Sequence, residues 1–337
     1  MIVNAPAGMK TREDAVKEND LQAVASGCLF PEGPVAMADG SVLFVEIEGQ
    51  TLSRLTPDNE VERLLDLPGG PNGLAIGPDG AAYVCNNGGV YNFIKLSADP
   101  RITIPDPGGP PADFRGGRIQ RIDLETHEVT DLYEDYLLDG VRKDLLSPDD
   151  IVFDAAGGFY FTDCGAQYED RIMKGGVFYG TIHGDPLKLV AQIPTANGIG
   201  LSKDGGTLYV ADTIFARLWK VHIPDPVGKP GVAAPGPVPG SPGEVVMTLP
   251  GYQFVDSLKL EACGNVCVAT IGLPEGGITI HHADGSGTER VPVPDPFVTN
   301  LCFGVADPQD VWITASGTGM IYKGRWDRPG MPMAFTA

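Results

Sequence analysis

Apolar residues in this chain come in short runs separated by Gly, Pro, Asn and Asp, the pattern of many strands joined by tight turns. Residues 145–163, LLSPDDIVFDAAGGFYFTD, show the unit in full. Ile151-Val152-Phe153 is one β-forming run, Ala156-Gly157-Gly158 a turn, and Phe159-Tyr160-Phe161-Thr162 a second run. Variants of this hairpin recur. Pro31-Glu32-Gly33-Pro34 leads to Leu43-Phe44-Val45, Pro71-Asn72-Gly73-Leu74 to Tyr83-Val84, and Ala196-Asn197-Gly198-Ile199 to Leu208-Tyr209-Val210. Val255-Asp256-Ser257-Leu258 leads to Val268, and Thr299-Asn300-Leu301-Cys302 to Val311-Trp312-Ile313. Every copy carries a polar residue at one fixed place: Glu32, Asn72, Asp149, Asn197, Asp256 and Asn300.

Further apolar runs lie between the hairpins, at 51–55 with 61–65, 118–122 with 129–133, and 217–222 with 244–249. The pattern predicts an all-β fold, a six-bladed β-propeller of four-stranded antiparallel blades. The last unit has only the runs 301–306, 311–315 and 320–323, and a strand at 21–25 precedes the first copy. That N-terminal strand is expected to pair with the last blade, closing the ring and removing an edge. The expected organisation is a flexible arm at 1–19, the propeller at 20–326 and a tail at 327–337. A β-sandwich would not place one polar position at the head of every unit. Loops between second and third strands, above all the insertion 86–117 and the segment 164–175, should return to the mouth where the polar column converges. The Pro/Gly-rich segment 223–243 should lie on the opposite face.

Hydrophobic residues make up 42% of the chain, enough for a large core. The formal net charge of −20 argues against nucleic acid and anionic membrane partners; it reads as an ordinary acidic soluble surface or, more sharply, as one that attracts a cation. None of the six cysteines forms a Cys-x-x-Cys pair; Cys263 and Cys267 flank the Gly264-Asn265 turn and are the one pair placed to face each other. The first residues lack the apolar core of a signal peptide and no run approaches the ~20 apolar residues of a spanning helix, so a cytoplasmic protein is expected.

The sequence resembles the gluconolactonase/regucalcin (senescence marker protein) family. The likeness is carried by Phe30-Pro31-Glu32-Gly33-Pro34, Ser147-Pro148-Asp149-Asp150 with Tyr160-Phe161-Thr162-Asp163, Asn197-Gly198 with Leu208-Tyr209-Val210-Ala211-Asp212, Asp256, and Asn300-Leu301-Cys302-Phe303-Gly304. The resemblance implies one divalent cation in the channel mouth, calcium first, with Mg²⁺, Mn²⁺ and Zn²⁺ as alternatives. It implies Glu32, Asp149, Asn197 and Asp256 as the metal ligands. Asp149 stands where the family pattern has Asn, and Ser257 where Gly is common. The residue chemistry agrees, since carboxylates and an amide oxygen are hard donors, and converging acids repel unless a cation sits among them. Asn72, Asn300, Asp163 and Asp212 are candidates for substrate contact or for orienting the ligands; each acid or amide taken singly also reads as a turn or strand-end residue. The five histidines lie away from the column.

The expected function is a divalent-metal-dependent hydrolase acting on a small molecule, a lactonase opening a sugar lactone or related cyclic ester, with Asp256 as base for the attacking water. The competing readings are phosphotriester or fluorophosphate hydrolysis at the same metal, and a calcium-binding propeller without turnover.

Overall fold

The computed structural model describes residues 21–336. Six four-stranded antiparallel sheets are arranged as propeller blades. Blade 1 holds Pro31–Ala36, Val42–Glu46, Thr51–Leu55 and Val61–Asp66; blade 2 holds Pro71–Ile76, Ala82–Asn86, Arg118–Ile122 and Val129–Tyr133. Blade 3 holds Pro148–Phe153, Gly158–Asp163, Gly176–Thr181 and Lys188–Ala191; blade 4 holds Ala196–Leu201, Thr207–Asp212, Arg217–His222 and Glu244–Thr248. Blade 5 holds Gln253–Leu260, Val266–Gly272, Gly277–His281 and Thr288–Pro292. Blade 6 holds Val298–Phe303, Asp310–Ala315 and Met320–Arg325, completed by Gln22–Ala25 from the N-terminal side. Gln22 pairs with Lys323 and Ala25 with Ile321, the closure expected from the short last unit. The predicted arm at 1–19 lies outside the described residues.

The packing follows from strand alternation. A blade strand has a neighbouring blade on each face, so both sets of alternating side chains are buried and the strands read as nearly continuous apolar runs. In blade 3, Phe159 and Phe161 enter the core shared with blade 2, while Tyr160 between them enters the core shared with blade 4. Each of the six blade-to-blade interfaces holds one such cluster, including Phe44 of blade 1 with Trp312 of blade 6 at the closure.

The innermost strand of blade 6 runs Val298–Phe303, starting earlier than the expected 301–306. Its polar Thr299 and Asn300, the head of the hairpin copy, are buried strand residues that an apolar run alone leaves out. Asp135–Leu138 and Val141–Asp144 form a hairpin between blades 2 and 3 that the apolar pattern does not predict, because Leu137 and Val141 are exposed. Its signal is the Asp139-Gly140 turn, both residues at positive φ (52° and 78°), the chemistry of a two-residue hairpin loop. The insertion after Ala82–Asn86 contains a hairpin of its own, Phe93–Leu96 with Asp99–Pro105.

The face opposite the column is covered. The C-terminal segment packs along the far ends of the inner strands: Gly330 lies against Phe303, Met331 N donates to Leu260 O at 2.8 Å, and Phe335 meets Phe153 at 5.9 Å between ring centroids. Glu261, fully buried there, accepts from Trp326 Nε1 (2.8 Å), Arg328 Nε (2.5 Å) and Asn265 Nδ2 (2.8 Å). Cys263 and Cys267 are both free thiols, each donating to Glu261. The segment 223–243 folds back on blade 3, where Gly231 N donates to Tyr160 Oη at 2.8 Å.

Candidate active site at the channel mouth

A β-bulge aims the column. In all six blades the register between first and second strand shifts at or next to the column residue: between Pro148 and Ile151 around Asp149, between Ala196 and Ile199 around Asn197, between Val255 and Leu258 around Asp256. In blade 2 it falls around Asn72, in blade 1 just after the paired Glu32, and in blade 6 just before the paired Asn300. A bulge re-aims one side chain while the strand continues. Here it turns the column toward the channel.

Glycine follows the column residue where neighbouring inner strands touch. A Cβ on Gly73 would lie 2.4 Å from Asp149 O, and one on Gly198 2.5 Å from Asp256 O, so a side chain there would push apart the backbones that carry two acids of the site. A polar residue at the end of each of the second strands in blades 1 to 4 fixes the approach to the column. Asp163 accepts from Ser147 N (2.9 Å), Asp212 from Thr195 N (3.2 Å), Asn86 from Gly70 N (3.0 Å) and Glu46 from Leu29 N (2.6 Å). Asp163 and Asp212 thus hold backbone two residues ahead of Asp149 and Asn197, and the charge of Asp163 also reaches Asp149.

Glu32, Asn72, Asp149, Asn197 and Asp256 together line one cavity of about 670 Å³ at the mouth. Glu32, Asp149 and Asn197 are buried, while Asp256 is half-buried. Three oxygens there, Glu32 Oε1, Asp149 Oδ1 and Asn197 Oδ1, are buried with no hydrogen-bond partner. Unsatisfied buried acceptors are costly and rare. Their grouping on one cavity floor, all hard oxygens from four different blades with Asp256, fits a Ca²⁺-like cation. Among the described residues, no three His, Cys, Asp or Glu side chains are grouped so as to hold a metal ion by themselves; the candidate set adds an amide oxygen to its three acids.

The acids strain one another. Burial pushes the Glu32 carboxyl up to about 7, opposed by hydrogen bonds from Asn300 and Gly33. Burial raises Asp149 well above the carboxylate range, and the charges of Asp256 and Glu32 add to it. Asp256 is raised well above by burial and then by Glu32, with a hydrogen bond from Asn197 opposing. A divalent cation among them would restore all three to the charged form.

Asn300 does not line the cavity. Its Nδ2 donates to Glu32 Oε2 at 2.7 Å, and its Oδ1 accepts from Lys259 Nζ at 3.3 Å. Lys259 is the residue that sequence reading missed. It rises from the inner strand of blade 5, three places after Asp256, and its ammonium also meets Asp150 Oδ2 of blade 3 at 3.5 Å. A buried spoke therefore ties blades 3, 5 and 6 beneath the acids. The available signal was a single Lys inside the otherwise apolar run Leu258–Leu260. Cys164 lines the cavity too, but burial and the charges of Asp149 and Asp163 push its thiol well above the ordinary range, so it is not a thiolate nucleophile.

A propeller with a column of acids and amides at one open end defines a class of channel-mouth site. The sequence matches the SMP-30/Gluconolactonase/LRE-like region over residues 30–317, so the chain belongs to that family. A Staphylococcus saprophyticus protein named lactonase drp35 is 27% identical over 267 residues, covering 78% of this chain and 69% of that one. A gluconolactonase from Xanthomonas campestris superposes with a TM-score of 0.65 at 20% identity, covering 92% of this chain and 89% of that one. A protein described as a calcium-binding regucalcin from Agrobacterium tumefaciens superposes with a TM-score of 0.67 at 17% identity, covering 94% and 96%. These two likenesses are of fold.

Proposed function

We propose that the protein is a divalent-metal-dependent lactonase whose cation is held by Glu32, Asp149, Asn197 and Asp256. The observation that carries this reading is the trio of buried, unpartnered oxygens on the cavity floor. Membership of the family and the lactonase name of the Staphylococcus relative support the reaction class. Calcium is the first choice of ion, because the donors are all oxygen and the neighbour described as a calcium-binding regucalcin shares the fold. When bound, the cation supplies Lewis-acid polarisation of an ester carbonyl.

The chain's own residues do the rest. Asp256 is the one acid of the set that is half-buried, so it borders both the floor and the open cavity where water and substrate arrive. Its carboxylate takes the proton of the attacking water, with Asn197 fixing its orientation through their hydrogen bond. Asn300 holds Glu32 from behind. Among the described residues, no histidine, lysine or arginine lines the cavity, so the carboxylates are the proton acceptors available within it.

Incubation with a panel of lactones, before and after EDTA and with Ca²⁺, Mg²⁺ or Mn²⁺ restored, tests the proposal. Hydrolysis lost with EDTA and regained with one of these ions is expected. Hydrolysis that survives full metal removal contradicts the metal's role. Calcium binding without turnover of any lactone would support a calcium-binding propeller instead.

A further inference from the structure

The cavity above the acids is large and its walls are apolar. The blade 2 insertion supplies Tyr91, Leu96 and Ile104 on one side, and Phe215, Tyr252 and Leu273 from blades 4 and 5 form the other. Phe215, Tyr252 and Leu273 are 41%, 82% and 65% exposed, large hydrophobic side chains left in water around the opening of a polar site. Exposed apolar groups gathered at one rim mark a binding surface. At about 670 Å³ the cavity falls in the range that encloses drug-sized ligands.

Several polar side chains in these walls are already engaged, while Thr213 Oγ1 is buried there with no hydrogen-bond partner. Thr195 Oγ1 donates to Asp212 at 2.6 Å, Thr299 Oγ1 lies 2.5 Å from Ser316 Oγ, and Gln253 Nε2 donates to Pro250 O at 2.7 Å. A polyhydroxylated ring needs a partner for every hydroxyl it carries out of water, and each one left bare weakens binding. The floor acids, with no cationic side chain among the described lining residues, also disfavour an anionic substrate.

We infer that the substrate class is an uncharged lactone bearing a bulky alkyl or aryl substituent, its ring ester at the floor and its apolar arm along the wall formed by Phe215, Tyr252 and Leu273. Sugar lactones are then the poorer class, a departure from the expectation raised by the sequence. This inference rests on the lactonase reading of the same site.

The test compares kcat/KM, at saturating Ca²⁺, for δ-valerolactone, a δ-lactone carrying a five-carbon alkyl arm, and glucono-δ-lactone. Burial of a methylene is worth about fourfold, so the alkyl lactone should exceed the unsubstituted ring by at least about tenfold. The sugar lactone should fall below both. The double variant Phe215→Ala/Leu273→Ala, altered at exposed side chains, should lower the alkyl-to-unsubstituted ratio by about tenfold. Preference for glucono-δ-lactone, or a ratio unmoved by the double variant, overturns the inference and leaves the lactonase reading standing. If no lactone is hydrolysed, the lactonase reading fails; the apolar arm is then tested by calorimetry with the matching alkylated and bare δ-lactams, and equal affinity for the two overturns it.

Discussion

Asn300 donates from Nδ2 to Oε2 of Glu32 at 2.7 Å, across the seam where blade 6 meets blade 1 and over 268 residues of sequence. One hydrogen bond thus couples ring closure to the placement of a cavity-floor acid whose other oxygen is unpartnered. Asn300→Ala should free Glu32 to rotate. Outer partners of metal-binding groups are worth roughly 10–100-fold in affinity, so calcium affinity should fall within that range while the far-ultraviolet spectrum of the sheets is kept. Unchanged affinity would remove Asn300 from this role.

Lys259 makes a different prediction. Its ammonium is buried between Asp150 and Asn300, and breaking a buried ion pair from one side costs about 3–5 kcal/mol because a charge is left alone. Lys259→Met should therefore lower unfolding stability by an amount of that order in urea titration. Adding Asp150→Asn should recover much of the loss. A single variant as stable as the parent, or a double variant less stable than Lys259→Met, would contradict the spoke.

The pH dependence of stability has a definite sign. The Glu32 carboxyl is raised from about 4.5 to about 7 in the folded protein without metal. Between those values the folded state keeps a proton that the unfolded chain releases, so stability is greatest at acid pH and falls as pH rises through about 7. Asp149 and Asp256, raised in the same direction, extend the loss. A divalent cation opposes it by favouring the charged acids. The Tm of EDTA-treated protein should fall between about pH 5 and about pH 8, and the Tm gain on adding Ca²⁺ should be larger at the higher pH. A calcium effect that is equal at both, or larger in acid, speaks against cation binding among these carboxylates.

The two long insertions should behave oppositely. Replacing 91–115 with a short turn removes Tyr91, Leu96 and Ile104 from the cavity wall and should alter relative kcat/KM across lactones. Deleting 227–240 removes a segment outside the cavity; it breaks the bond from Gly231 N to Tyr160 Oη and should lower Tm by a few degrees with kcat/KM nearly intact. Loss of turnover in a folded deletion variant would contradict the assignment of that loop to the far face.

Much of this was legible because each blade repeats the same local solution. A polar residue sits before two apolar runs, often followed by Gly, as in Asn72-Gly73 and Asn197-Gly198, where the next blade's backbone leaves no room for a Cβ. The ring then brings residues of different blades to one mouth, so the polar column could be grouped before any contact was known, while the choice of Glu32, Asp149, Asn197 and Asp256 from it came from the family resemblance. Lys259 could not be grouped with them, because its partners Asp150 and Asn300 are 109 and 41 residues away and its position breaks no pattern beyond one charge in an apolar run. The apolar character of the cavity was equally hidden: Phe215, Tyr252 and Leu273 come from separate loops with no common spacing.

Asp149 carries the question of the site most sharply. It is buried, lines the cavity and leaves Oδ1 unpartnered, which is not how a turn acid behaves. With Glu32 and Asp256 it gives a divalent cation a shell near −1, where an Asn at this place would leave it neutral. One charge contributes about 1–4 kcal/mol at ~4 Å between water-like and protein-surface dielectrics. The most direct test is calorimetric titration of Ca²⁺ into metal-free protein and into Asp149→Asn, with lactone hydrolysis followed by pH-stat on the same samples. One ion per chain should bind the parent. Asp149→Asn should bind it about tenfold more weakly or worse, yet keep turnover once the ion is saturating, whereas Asp256→Asn should lose turnover even then. No calcium binding by the parent, or equal affinity in Asp149→Asn, would contradict a cation held at this channel mouth by these four residues.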